Sequence, residues 1–238
     1  MKYPPHIPLA DNDLTGGYLL EFDKFAYSEP IHFYTSINNY VVAIKSPDED
    51  VIISENHPAY KYIKGYVDDL EEAFERGDYV TVCNLIDIES FIDSWFVYNL
   101  SGNQEPSHPK SFHMYKRRNG KLYAGPMWDF DWGTFVPGLK TSILRNAFYY
   151  RYLFQNADFK QAVKERWMEL KSSFENVTEY IDETAGIIAE SNAVNNEMWP
   201  ITTSTNGDEK LSFEEAVARL RTAYIERLNV LDNEIMAY

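Results

Sequence analysis

Asp129 and Asp131 stand one residue apart in the run Gly125-Pro126-Met127-Trp128-Asp129-Phe130-Asp131-Trp132-Gly133. Two carboxylates in so apolar a run are costly to bury without a partner. A divalent cation is a natural partner, because hard cations take carboxylate oxygens. Extended backbone would point both acids to one face and turn Trp128, Phe130 and Trp132 to the other, toward a core. The pattern is short, so a polar turn held by aromatic packing stands beside metal or phosphate chemistry as a reading.

The elements around the acids are legible from period and punctuation. Gly17–Asp23, Ile31–Tyr34 and Tyr40–Ile44 read as strands, with a turn at Asn38-Asn39. Ile63, Tyr66, Val67, Leu70 and Phe74 recur at helical spacing until Gly77. A second helix is expected over Ile88–Leu100, capped by Asp87. A loop from Gln104 to Pro109 follows, and its two prolines argue against helix. Asn119-Gly120 between Ser111–Lys116 and Lys121–Ala124 predicts a hairpin. Beyond Asp131 the pattern turns helical, first through Leu144, Phe148, Tyr152 and Leu153. Asn156–Phe174, Asn176–Asn192 and Ser212–Tyr238 read as three further helices, the last two with capping boxes.

Composition excludes several classes of function. Thirty-seven acids against 22 bases give a net charge of −15. Nucleic-acid binding depends on Lys and Arg neutralising phosphates, so no nucleic-acid partner is expected. Anionic membranes are disfavoured for the same reason. No apolar run has the length of a membrane span, and no signal peptide is legible at the N-terminus. Cys83 is the only cysteine, so no internal disulfide forms, and its apolar neighbours predict a buried structural thiol. His57, His108 and His113 fit no common zinc spacing and read as structural or solvated.

Helix, irregular polar loop, short hairpin and acidic segment follow one another in the order of the catalytic half of protein kinases. Phosphoryl transfer asks little covalent help from a protein. It needs a cation bridging the phosphates and a carboxylate near the attacking hydroxyl. Gly16–Asp23, Ile86–Asp93, Ser111–Lys116 and Gly125–Gly133 together resemble the spore-coat protein H (CotH) family of atypical secreted kinases.

That resemblance implies an α+β fold. It comprises a mostly helical, protein-kinase-like C-terminal lobe, a small N-terminal antiparallel strand region, and a central hairpin before the Trp-Asp-Phe-Asp segment. A residual strand region would occupy 1–55 and the helical lobe 56–238. The implied cofactors are ATP and Mg²⁺ or Mn²⁺, and the implied substrates are Ser or Thr residues of secreted or surface proteins. Location would then be secreted, periplasmic or at the cell surface. Residue by residue, Asp129 becomes the main metal ligand, Asp131 its support or the ligand of a second ion, and Asn103 the opening of the catalytic loop.

The chain departs from the family pattern at several points. Glu105 stands where the catalytic Asp is expected, which keeps the carboxylate but adds a methylene. Misplacement near one ångström can cost about a hundredfold in rate. Ser111, or else Lys110, stands where the family has a metal-binding Asn. Lys110 could contact phosphate there, though a solvated loop lysine is the plainer reading. A phosphate-binding Lys and an Arg-Gly-Asn-Ser type motif are not found before Gly16, so most of the nucleotide-binding lobe is expected to be missing. These departures support an alternative, a non-catalytic kinase-like surface or structural module. A third reading is a carbohydrate-active protein using Glu105 and Asp129 with aromatic sugar platforms.

Overall fold

The computed structural model describes residues 14–50, 52, 54–131, 133–200 and 211–238. The fold is α+β. Five antiparallel strands, β1 (Tyr18–Phe22), β2 (His32–Tyr34), β3 (Val41–Ser46), β4 (Phe112–Lys116) and β5 (Leu122–Ala124), form one sheet in the order β2-β3-β1-β4-β5. Its helices are α1 (Pro58–Glu75), α2 (Tyr79–Leu85), α3 (Ile88–Ser101), α4 (Tyr150–Leu153), α5 (Ala157–Met198) and α6 (Phe213–Ile235). Among the described residues no helix is long and apolar enough to cross a membrane.

The described chain divides into two compact units. Unit 1 takes residues from Met1–Phe96, Gln104–Asp129 and Leu144–Phe159, and unit 2 takes Val97–Asn103, Phe130–Ile143 and Lys160–Tyr238.

Unit 1 contains the sheet. Alternation along β1 buries Tyr18, Leu20 and Phe22, and β4 pairs with it so that Leu20 faces Met114 and Phe22 faces Phe112. An aromatic cluster fills the core: Phe148 lies 5.3 Å from Phe22 and 4.8 Å from Phe112, and Tyr149 lies 5.1 Å from Phe74. Glu71 is fully buried within this cluster. It accepts the Tyr149 hydroxyl at 2.9 Å and the backbone N–H groups of Ile37 and Asn38 at 3.0 and 2.9 Å. A helix carboxylate thus pins the β2–β3 turn, since a buried charge must have its oxygens occupied.

Unit 2 is organised by Arg227 of α6. Its buried guanidinium donates to Asn99 O at 2.7 Å, Asn99 Oδ1 at 3.1 Å and Thr141 O at 2.7 Å. Asn99 in turn exchanges two bonds with the backbone of Ile143. Trp167 is fully buried and donates to Asp232 at 2.9 Å.

Several sequence expectations need correction. The proposed break between Phe174 and Asn176 does not occur: α5 is continuous, because neither Gly nor Pro lies near that junction and Asn176 sits mid-helix, as Gly186 does further on. The helix expected from Leu144 onward shrinks to α4, because Leu144 and Phe148 adopt φ values of 65° and 48°. Helix α2 was missed, although Asp78 caps it through Thr81 N at 3.1 Å. Within the Gln104–Pro109 loop, Glu105–Ser107 forms a single 3₁₀ turn, since Pro106 in its first turn has no N–H to lose. Cys83 is half-buried rather than buried.

Candidate functional site

The polar loop begins where α3 stops. Gly102 takes φ +75°, and Asn103 N reaches back to Tyr98 O at 3.0 Å while Gly102 N bonds Asn99 O at 3.2 Å. This is a Schellman-type closure, which favours glycine at that position. Asn103 is thereby buried in unit 2.

Within unit 1 the loop continues to Glu105, whose carboxylate is 3% exposed. Its counter-ion is Lys110, five residues on, joined through Glu105 Oε1. Lys110 is therefore an ion-paired lysine rather than a solvated one. Its pKa is raised, first by this hydrogen bond, with further contributions from the charges of Glu105, Asp129 and Asp23. One ammonium thus serves a small field of acids.

Ser111 ties that field together. Its backbone N donates to Asp23 Oδ2 at 3.0 Å, and its hydroxyl donates to Asp129 Oδ2 at 3.0 Å. Asp23 sits just beyond β1 and Asp129 beyond β5, so the sheet brings them to either side of the loop. Lys24 N bonds Pro109 O at 3.1 Å and fixes the loop against the strand end. Ser111 and Asp129 both adopt left-handed backbone, with φ +52° and +67°. Non-glycine residues rarely occupy that region, and when they do they cluster at functional sites.

Asp129 is therefore not in an extended strand, and the alternation expected from Trp128 to Trp132 fails locally. Trp128 is 55% exposed instead of core-facing, and stands edge-on to His113 at 5.2 Å. Phe130 stacks on Tyr98 at 5.6 Å in unit 2, and Asp131 of the same unit is exposed. Trp132 lies outside the described residues.

His57 caps α1, its Nδ1 accepting from Ala59 N at 3.2 Å. His113 is buried on β4, 3.9 Å from Glu21 Oε1, and burial holds its pKa below the ordinary histidine value. Among the described residues no group of three or more His, Cys, Asp or Glu is gathered to hold a metal.

Asp23 is the site residue that sequence reasoning missed. Its signal was a lone acid closing an alternating strand, a common turn feature, and only the fold brings it to Ser111.

No curated protein and no solved structure matches the chain. A family model described as CotH kinase protein matches residues 11–231. That match contains the strands, the Glu105 loop, the hairpin and Asp129, and on it the chain belongs to the CotH kinase protein family.

Proposed function

We propose that the chain is a CotH-type phosphotransferase that uses ATP and a divalent cation, Mg²⁺ or Mn²⁺, and acts on a Ser or Thr hydroxyl of a secreted or surface protein. The observation that carries this reading is the Ser111–Asp129 hydrogen bond, made by two residues that both hold left-handed backbone. The oxygen-only donors around Ser111 suit a hard cation. Magnesium bound largely through nucleotide phosphates needs only one or two protein carboxylates, so this donor set fits it. The cation, when bound, would offset charge on the transferring phosphoryl group.

The chain's own residues have distinct tasks. Asp129 presents carboxylate oxygens to the metal, oriented by the Ser111 hydroxyl. Glu105 takes the proton of the acceptor hydroxyl as its oxygen bonds to the γ-phosphorus and the bond to ADP breaks. Lys110 neutralises Glu105 in the resting protein and offers an ammonium to phosphate. Asn103 and Asp131, both in unit 2, keep the roles that family resemblance gives them, loop opening and metal support.

Mass spectrometry of a serine peptide incubated with the protein, ATP and Mn²⁺ tests this. Phosphoserine should accumulate with ADP, and Asp129→Asn should slow the transfer about a hundredfold or more. Phosphoserine formation at the same rate in Asp129→Asn would refute the assigned role. A protein that binds ATP but transfers nothing would favour the second reading, a non-catalytic kinase-like module. The Lys110–Glu105 pair supports that alternative, because it already engages the carboxylate needed as base.

A further inference from the structure

A cavity of about 360 Å³ opens within unit 1 beside the Glu105–Lys110 loop. Lys24, Tyr40, Ser107, His108, Asn146 and Arg151 contribute to its wall, and no Asp or Glu does. In a chain with 37 acids and 22 bases, a cavity lined by basic and neutral groups alone runs against composition.

Its two cations have neutral partners. Lys24 Nζ stands 5.1 Å above the Phe25 ring and makes no ion pair among the described residues. The Arg151 guanidinium bonds Asn38 Oδ1 and the Tyr152 hydroxyl, neither of which cancels its charge. Glu71 acts on Arg151 through space, but its oxygens already accept from Tyr149, Ile37 and Asn38. Burial, and then the charge of Lys24, holds His108 below the ordinary histidine value, so it enters as a neutral ring near pH 7.

The wall is preformed. Lys24 N holds Pro109 O at 3.1 Å, Thr35 N holds Tyr40 O at 2.9 Å, and Ala147 N holds Leu144 O at 3.0 Å. Preformed cavities of this size with a few convergent polar groups suit a small ligand or one side chain. No glycine lines it, so it lacks the bare backbone cradle that nucleotide phosphates use. Its walls include Ser107–Pro109, which lie between Glu105 and Lys110 in the chain, and Lys24, which follows the Asp23 that is bonded to Ser111.

We propose that this cavity binds an oxyanion carried by the peptide substrate, a phosphoserine or acidic side chain close to the hydroxyl that is phosphorylated. This rests on the phosphotransferase reading above. Arginine with lysine is the usual means of recognising phosphorylated and acidic motifs.

Fluorescence anisotropy with labelled serine peptides on the full chain tests it, using neutral, glutamate-containing and phosphoserine-containing versions. Phosphoserine should bind at least tenfold tighter than neutral, with glutamate between. Lys24→Glu, at an exposed position, should remove about tenfold of that preference with unchanged melting, and Arg151→Gln should do the same. Equal binding of the three peptides would overturn the proposal. So would inorganic phosphate that competes as tightly as the phosphopeptide, or ATP that displaces the peptide competitively. Asp129→Ala should lose metal-dependent nucleotide binding and keep the peptide preference. Peptide preference without nucleotide binding in the wild type would retain the oxyanion site and overturn the phosphotransferase reading.

Discussion

Arg227 in unit 2 and Glu105 in unit 1 are both almost wholly buried charges, yet their surroundings differ in kind. Arg227 spends its donors on carbonyls of Asn99 and Thr141 and on the Asn99 amide oxygen, all fixed parts of unit 2. Glu105 is paired with Lys110, a side chain one-third exposed and part of a loop that also leads to Ser111 and Asp129. The first arrangement is a clamp whose partners cannot leave. The second is an ion pair whose cation reaches solvent, so that on the proposed phosphotransferase reading an incoming phosphate could draw Lys110 away from Glu105. A buried charge therefore says little about function until the nature and exposure of its partner are known.

That contrast can be broken by mutation. Arg227→Ala should have the largest effect, about 3–5 kcal/mol in denaturant unfolding, because several buried acceptors lose their donor together. A cost below about 1 kcal/mol would mean that the clamp is not one. Lys110→Met should cost less, about 1–3 kcal/mol, by leaving Glu105 buried beside an apolar chain. Glu105→Gln in the same protein should restore most of that loss, and a double-mutant cycle with no coupling would remove the ion pair from the account.

Asp129→Asn should move the melting temperature by only a few degrees, since Asn tolerates left-handed backbone and can still accept from Ser111. A collapse of stability there would make Asp129 a structural cap instead of a ligand.

The pH response sharpens the same point. Burial depresses the His113 pKa, so below about pH 6.5 the unfolded chain binds more protons than the folded one. His113 therefore contributes stability that is present above pH 6.5 and lost on acidification. In melting curves from pH 7.5 to 5, His113→Gln should flatten part of the fall, and an unchanged slope would count against the burial argument.

Much of the fold was written in local pattern. Alternation with Asn-Gly located the sheet and hairpin, α1 and α3 followed their apolar periods, and the Ser212–Glu215 box starts α6 as expected. What escaped was set by tertiary contacts. Leu144 and Phe148 look helical in sequence, but Phe148 enters the aromatic core through left-handed backbone. Of the site, Asp129, Glu105, Lys110 and Ser111 were legible as chemistry-bearing types. Their pairing was not, because Asp23 and Ser111 are 88 residues apart and meet only through the β1–β4 register. The cavity at Lys24 and Arg151 was invisible for the same reason.

The most direct test is calorimetric titration of ATP with Mg²⁺ or Mn²⁺ into the wild-type chain and into Asp129→Ala. Metal-dependent nucleotide binding is expected in the wild type and should disappear in the variant. Equal binding in both, or none in either, would contradict it.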